Sequence, residues 1–303
     1  MRPTMQQIAR AAGVNPSTVS RVLSGQARKT RIAEGTARKV LAAARRLGYR
    51  PNLAARALRT RRTHTLGLLV TELANPFFST IAGSFEDAAR SAGYSTVIAT
   101  SGEDQDREAE YLSVLRSRPV DGLVVTPAAG PRARKALSHT LKDGLPVVLI
   151  DRRVPGIKCD RVVVDNRAGA ARLVARLAEL GSRRLAMAGG PSGLFTAAER
   201  LAGFRDGLRA AGLPFLKALT SSGPFAVETG LRAARKFMRA TRPPDAIVAA
   251  NNRVLLGVLR ALQEAGHDAR QVAVAGFDGV PFAGLLGRPI VVAEQPRREI
   301  GRR

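Results

Sequence analysis

The stretch IARAAGVNPSTVSRVLSG, at residues 8–25, predicts two short helices joined by a tight turn. Just upstream, Thr4 and Gln7 fit a capping box that begins the first helix. Gly13 can take the positive φ that ends this helix and turns the chain. Pro16 suits the first position of the second helix, where its missing N–H is not needed, and apolar residues follow at helical spacing. The pattern is that of a helix-turn-helix, whose second helix typically lies in the major groove of DNA.

The polar face of the second helix supplies candidate DNA contacts. Arg21 can make a bidentate hydrogen bond to guanine, whereas Ser and Thr hydroxyls suit phosphates or undemanding base contacts. Pro16 offers only apolar contact, so base specificity should depend on Ser17 and Arg21. In this part of the chain the predicted DNA contacts are Thr4, Pro16, Ser17, Thr18, Ser20 and Arg21.

The distribution of charge supports this interpretation. The first 62 residues carry 15 Lys or Arg and one acidic residue, Glu34, in a chain of 303 residues with a formal net charge of +25. A third helix is predicted over residues 36–47 and should end at Gly48. Its predicted apolar seam is Val40, Leu41, Ala44 and Leu47. A generic bundle with solvated charges is the alternative, but so uneven a charge is typical of a duplex-binding module.

From residue 64 onward, short β-rich runs alternate with helical stretches. The runs are TLGLLVTEL, STVIAT, DGLVVTP, PVVLID, RVVVD, RLAMAGG, DAIVAAN and VAVAGFD. Short apolar runs separated by helical segments indicate parallel strands in βαβ units. The predicted fold class is therefore α/β, preceded by the all-α helix-turn-helix domain.

Polar and aromatic residues follow several of these runs, where open parallel sheets bind their ligands. Aromatic faces stack on sugar rings, and Asp, Asn, Arg and Gln side chains can pair with neighbouring hydroxyls, so the set suggests a monosaccharide site. Structural alternatives remain open for some: Phe77 and Phe78 could be core, Asn75 could cap a helix, and Asp151 could end a strand. The predicted effector-binding residues are Asn75, Phe77, Phe78, Asp151, Arg152, Arg200, Phe225, Asn251, Asp278 and Gln295.

Composition and motifs exclude several classes. The longest apolar runs are too short for a transmembrane helix, and residues 1–30 lack the apolar region of a secretory signal, so a cytoplasmic protein with no membrane partner is expected. A single cysteine, Cys159, and three dispersed histidines predict no metal site. Nucleotide-binding and hydrolase motifs are absent from the sequence, so no cofactor, no catalytic residue and no enzymatic activity are expected.

Two stretches carry a resemblance to a known family. Residues 8–25, together with LGYRPNLAARALRT at residues 47–60, resemble the lac repressor family of bacterial transcription regulators. The resemblance implies a helix-turn-helix domain over residues 1–50 and a hinge over residues 51–63 that becomes helical on operator DNA. In that hinge Leu58 would be the apolar wedge that kinks the duplex from the minor groove. The DNA contacts implied for the hinge are Asn52, Ala55 and Leu58.

The remainder resembles the regulatory core of the same family, which is similar to ribose-type periplasmic binding proteins. Matching motifs include ANPFF at residues 74–78, VVLIDR at 147–152 and GFD at 276–278. The resemblance implies that residues 64–303 form an effector-binding and dimerisation domain of two lobes, one at 64–164 plus 294–303 and the other at 165–293. It also implies that the ten residues above hold a neutral monosaccharide, and that a homodimer, or a tetramer, binds double-stranded operator DNA. The direction in which the effector changes DNA affinity stays open, because the family contains both.

The sequence departs from the family pattern in two places. Asn252 stands where the family usually has Asp, which could retune the ligand site. Family members continue for a further strand and helix beyond Arg303, so a truncated product is expected. Two other classes remain as alternatives. A sugar-binding transport component is disfavoured by the strongly basic first 62 residues and the lack of a signal peptide, and a sugar-processing enzyme anchored to DNA is disfavoured by the lack of catalytic motifs.

Overall fold

The computed structural model describes residues 3–49, 62–117, 120–267, 271–281, 283–286 and 289–303. The chain divides into two compact units, Met1–Thr63 and His64–Arg303. Most of the predicted hinge, with Asn52, Ala55 and Leu58, lies outside the described residues. Within those residues, no helix combines the length and the apolar content needed to cross a membrane.

The first unit contains the helices α1 (Met5–Ala12), α2 (Pro16–Leu23) and α3 (Glu34–Arg46). The capping box is confirmed: the Gln7 amide donates to the Thr4 hydroxyl, and the Thr4 amide donates to the Gln7 side chain. Gly13 has a φ of 64° and ends α1 in the left-handed region, as predicted. The core where the three helices meet includes Ile8, Val19 and Val40.

The third helix differs from the prediction in extent and in its buried face. It spans Glu34–Arg46 rather than residues 36–47. The assignment of Leu41 and Leu47 to the apolar seam is wrong, because these side chains are 38% and 37% exposed. Val40 and Ala44 of the predicted seam are confirmed, and Ala43 completes it, since small side chains let the helix approach α1 and α2 closely. The buried residues of α3 are Val40, Ala43 and Ala44.

The second unit consists of two lobes, each a parallel sheet flanked by helices. The first lobe contains β1 (Thr65–Val70), α4 (Pro76–Ser91), β2 (Ser95–Thr100), α5 (Gln105–Ser117), β3 (Gly122–Val125), α6 (Pro131–Lys142), β4 (Val147–Ile150) and β5 (Asp160–Val162). The second contains α7 (Asn166–Glu179), β6 (Leu185–Ala188), α8 (Phe195–Ala210), β7 (Thr220–Ser221), α9 (Val227–Met238), β8 (Ala246–Ala249), α10 (Asn252–Glu264), β9 (Ala273–Phe277) and β10 (Ile290–Ala293). The final helix, α11 (Arg297–Arg302), returns to the first lobe and packs on α4.

The strand order is β2-β1-β3-β4-β5 in the first lobe and β10-β9-β8-β6-β7 in the second. Every described strand pair is parallel, which confirms the α/β prediction. β7 and β10 were not predicted. β7 consists of only two residues, both polar, so it lacks the apolar run that predicts a strand. β10 follows a loop with a short 3-10 turn at Ala283–Leu286 rather than a full helix, so it does not fit the βαβ pattern.

The chain passes from the first lobe to the second between β5 and α7 and returns between β10 and α11. The two lobes are therefore joined by short crossing segments, and the carboxyl ends of strands from both lobes border a shared cleft.

Glycines set the closest helix contacts of the second lobe. A Cβ atom on Gly257 of α10 would overlap the carbonyl oxygen of Val227, and one on Gly230 of α9 would overlap that of Val254. These two helices approach backbone to backbone, which fixes the layer that supports β8 and β6.

Candidate functional site

The predicted DNA contacts of the first unit lie on and beside α2. Pro16, Ser17 and Arg21 are exposed, whereas Thr18 and Ser20 are half-buried. Arg21 is the cation on this face, and its exposure leaves it accessible to a base edge.

Thr4 lies at the start of α1 and is also exposed. Its hydroxyl already caps that helix, so it has a structural role besides any contact with DNA. The turn between α2 and α3 extends the basic surface with the exposed side chains of Arg28, Lys29 and Arg31.

A cavity of about 630 Å³ lies in the cleft between the two lobes of the second unit. All ten effector residues predicted from the sequence lie in its wall. The strand ends explain most of this convergence, because residues that follow β1, β4, β8, β9 and β10 lie at the edge that borders the cleft. Arg200 comes instead from α8, and Phe225 comes from the loop between β7 and α9. Their binding of a ligand stays a prediction. The ten are Asn75, Phe77, Phe78, Asp151, Arg152, Arg200, Phe225, Asn251, Asp278 and Gln295.

Several of these residues also have the structural roles that the sequence left open. Asn75 caps α4, since its side-chain oxygen accepts from the Phe77 amide at 3.0 Å. Asn251 caps α10 in the same way, accepting from the Val254 amide at 2.9 Å. Phe77 and Phe78 pack edge to face at 4.9 Å in the core of the first lobe while also lining the cavity. The structural and ligand-facing roles are therefore compatible.

Three acidic residues of the cleft have left-handed backbone conformations. The φ values are 64° for Glu103, 66° for Asp151 and 55° for Asp278. Such values are uncommon outside glycine and often accompany a functional constraint. Burial raises the pKa of both Asp151 and Asp278, although nearby arginines and, for Asp278, the Gln295 side chain favour the ionised form.

Arg200, 3% exposed, is held against the second lobe. It donates to Asn166 Oδ1 at 2.7 Å and to the Ala250 carbonyl oxygen at 2.5 Å, and its guanidinium lies 4.0 Å from the Phe277 ring centre. Burial lowers its pKa to about 10, against the attraction of Asp151 and Asp278. It stays charged at neutral pH.

Two polar atoms of the cavity wall are buried without a hydrogen-bond partner within the described residues. They are Thr196 Oγ1 and Gln295 Oε1. Buried polar groups are nearly always paired, and a hydroxyl-bearing ligand would pair with both once their side chains turned toward the cavity.

The cleft also contains residues that the sequence analysis missed. Asn252 donates to Asn75 Oδ1 at 2.9 Å, and Arg253 pairs with Glu72 at 2.6 Å, so both pairs link the two lobes. Asn252 was noted only as a departure from the family, yet it makes one of these links. Applying the strand-end rule to β2 as well would have found Glu103. The missed residues of the wall include Glu72, Glu103, Arg107, Thr196, Asn252 and Arg253.

Glu108 lies behind the cleft wall, fully buried on α5, and accepts from the Ala128 amide at 2.5 Å. Burial raises its pKa from 4.5 to about 7, although the Ala128 amide and Arg152 favour the charged form. Because the folded state holds this proton more tightly, the free energy of unfolding should fall as pH rises from about 4.5 through about 7.

Glu108→Gln should remove this loss, since the amide keeps an acceptor for Ala128 and cannot ionise. We expect the variant to gain about 1–3 kcal/mol of stability relative to the native chain between about pH 5 and about pH 8. Urea unfolding followed by circular dichroism at both pH values measures the gain. Glu110→Gln, at an exposed acid on the same helix, is the control, and equal gains in the two variants would contradict the assignment.

Within the described residues, no group of three or more His, Cys, Asp or Glu side chains is placed to hold a metal ion. Cys159 is a half-buried free thiol packed against the core of the first lobe, where burial raises its pKa.

Comparisons with known proteins match both units. Residues 4–52 match the family described as bacterial regulatory proteins, lacI family, and residues 63–303 match periplasmic binding proteins and sugar binding domain of LacI family. The sucrose operon repressor of Klebsiella pneumoniae is 32% identical, with 99% of this chain and 89% of the relative covered. A structure of the transcriptional regulator CelR with cellobiose is 32% identical with a TM-score of 0.71, covering 99% of this chain and 90% of the other. The lac repressor dimer bound to operator and the anti-inducer ONPF, 23% identical with a TM-score of 0.86 over 100% of this chain and 90% of the other, is alike in fold.

Proposed function

The chain belongs to the lacI family of bacterial regulatory proteins, and we propose that its interlobe cleft binds a neutral sugar that controls the affinity of α2 for operator DNA. The family resemblance and the DNA-binding regulator inferred from the sequence are confirmed by the family matches. The relatives are transcription regulators, which leaves the transport-component and enzyme alternatives without support.

The cavity wall carries the sugar proposal. Thr196 and Gln295 each have a buried polar atom without a partner within the described residues, and ligand hydroxyls would pair with these atoms once the side chains turned toward the cavity. The formal charges of the wall cancel, since Glu72, Glu103, Asp151 and Asp278 stand beside Arg107, Arg152, Arg200 and Arg253. A neutral polyhydroxylated ligand fits this balance, and a monosaccharide is the first candidate. A disaccharide is the second, favoured by the cavity volume of about 630 Å³ and by the cellobiose bound to CelR.

The two lobes supply the coupling. A sugar that contacts Asn75 in one lobe and Asp278 in the other stabilises one lobe arrangement, which the links Asn75 to Asn252 and Glu72 to Arg253 also favour. We propose that this arrangement acts on the DNA-binding unit through the segment at residues 51–63. Coupling of this kind is reciprocal and typically about 1–3 kcal/mol, so operator DNA should change sugar affinity by the same factor.

We further propose a homodimer, because the edge strand β2 exposes apolar side chains. Val97 and Ile98 are 42% and 38% exposed at the end of the first sheet. A second copy on this edge would cover them and place two DNA-binding units on the half-sites of a pseudo-palindromic operator. Such a regulator acts in the cytoplasm, where chromosomal DNA lies.

Arg21→Ala tests the DNA-binding role of α2. Loss of a bidentate contact to guanine should weaken binding by about 1–3 kcal/mol and relax selection at one base position. Duplexes selected from a random library by the native protein, and then titrated by fluorescence anisotropy, give both readouts.

Arg38→Ala, which removes an exposed cation of α3, is the matched control for charge. We expect it to weaken binding to all duplexes by the same factor and to leave base preference unchanged. A native protein that binds no duplex at low salt, or an Arg21→Ala variant with unaltered base preference, would overturn the proposal.

A further inference from the structure

Glu103 makes a bidentate ion pair with Arg152 inside the cleft. Arg152 Nη1 donates to Glu103 Oε2 at 2.6 Å, and Nη2 donates to Oε1 at 2.5 Å. This is the fork geometry in which arginine binds carboxylate and phosphate groups. Glu103 thus occupies the edge of the guanidinium, formed by Nη1 and Nη2, to which an anionic ligand would bind.

The other donors of Arg152 are also engaged. Nη1 donates to the Pro127 carbonyl oxygen at 3.0 Å, and Nε lies 3.3 Å from Asp151 Oδ2. Of the five N–H groups of a guanidinium, four therefore have partners in the chain itself. Arg152 is 2% exposed, so little of it is left for a ligand.

The backbone delivers Glu103 to this position. Gly102 and Glu103 follow β2 with φ values of 68° and 64°, and a left-handed glutamate costs free energy unless its surroundings require it. The Glu103 side chain binds Arg152 and is still 40% exposed, so it also lines the cavity.

The remaining cations of the wall differ from Arg152 in setting. Arg253 is paired with Glu72 at the rim, and Arg200 is held by Asn166, the Ala250 carbonyl and the Phe277 ring. Arg107 is exposed to solvent, where attraction for an anion is weak. Arg200 is as buried as Arg152, but Glu103 pairs with Arg152 alone, so Arg152 is the buried cation whose access to an anion Glu103 controls.

We propose that Glu103 is a specificity-determining residue: by occupying Arg152, it makes the cleft select neutral sugars and reject phosphorylated ones. This inference rests on the proposed function of the cleft as the effector site. A phosphoryl group would have to displace the Glu103 carboxylate and lie beside Asp151, where like charges repel.

The test compares the full chain with Glu103→Gln and Glu103→Asn, using inorganic phosphate as the probe. The amide of Gln is isosteric, and Asn tolerates the left-handed backbone better, so together they separate loss of charge from loss of fold. Glu72→Gln removes the same charge from the rim without releasing Arg152. Thermal unfolding is followed in phosphate and in chloride at equal ionic strength.

In the native chain and in Glu72→Gln, we expect phosphate and chloride to give the same Tm. In the Glu103 variants, Tm should be lower in chloride and should rise saturably with phosphate, by about 5 °C at about a hundredfold excess over Kd. Saturable stabilisation of the native chain, equal responses in the Glu72 and Glu103 variants, or folded Glu103 variants without response would each overturn the proposal. If neither Glu103 variant folds, saturable stabilisation of the native chain by phosphate would still overturn the proposal.

Duplex binding by the same samples separates this proposal from the one on which it rests. A native chain that does not bind duplex DNA would contradict the regulatory function, whereas the change of Tm in phosphate tests only the role of Glu103.

Discussion

Asp278→Asn is expected to abolish the response of operator affinity to the effector while duplex binding itself persists. Asp278 is 2% exposed in the cavity wall, and its carboxylate accepts from Gln295 Nε2 at 2.6 Å. An ionised acceptor strengthens hydrogen bonds from sugar hydroxyls, so losing the charge should weaken sugar binding by about 3 kcal/mol, or roughly a hundredfold. Asn retains an acceptor for Gln295 and tolerates the φ of 55°, so the fold should survive.

The measurement is fluorescence anisotropy on a duplex selected by the native protein, titrated with a panel of neutral pentoses, hexoses and disaccharides. A sugar that changes the affinity of the native protein should leave that of Asp278→Asn unchanged at the same concentration. Asp160→Asn, at an exposed acid of β5, is the control and should respond as the native protein does. An unaltered response in Asp278→Asn would place the effector elsewhere, and loss of duplex binding would contradict the separation of the two roles.

Gly257→Ala should lower the free energy of unfolding of the second unit by about 3 kcal/mol or more. The added methyl group would overlap the Val227 carbonyl oxygen, which belongs to the backbone of α9 and cannot rotate away. The two helices must then separate, and the core that they share with β6 and β8 loses its close packing.

Gly83→Ala is the matched control, because Gly83 lies within α4 and a Cβ there meets open space. The intrinsic helix preference of alanine should make that variant more stable by about 0.5–1 kcal/mol. Urea unfolding of both variants gives the comparison. Similar changes in the two would mean that the close approach of α9 and α10 is not what Gly257 serves.

Local signals explain what the sequence predicted well. The capping box at Thr4 and Gln7 and the left-handed Gly13 act over a single helical turn, so they can be read without knowledge of the fold. The strand ends could be aligned for a similar reason, since parallel strands place their carboxyl termini at one edge. That rule, together with the family resemblance for Arg200 on α8 and Phe225 in a loop, predicted the ten effector residues that line one cavity.

Features that depend on tertiary packing could not be predicted from the sequence. Glu103 and Arg152 are 49 positions apart, and Glu103 reaches Arg152 from a left-handed loop. No local sequence pattern predicts this pairing. Arg152 stays a predicted ligand contact, but the sequence does not show that four of its five N–H groups have partners within the chain. Leu41 is assigned to the core by its hydrophobicity, but it is 38% exposed, because α3 packs through Val40, Ala43 and Ala44 instead.

The left-handed backbone at Glu103, Asp151 and Asp278 limits how this sensor can be re-engineered. A mutagenesis library aimed at a new inducer would lose its Val, Ile and Thr members at these three codons, because β-branched residues are poorly accommodated at such φ values. Asn and Gly remain accessible there, and both remove a negative charge. Diversity for biosensor design is therefore better placed at Thr196, Phe225 and Asn252, whose positions carry no such backbone demand.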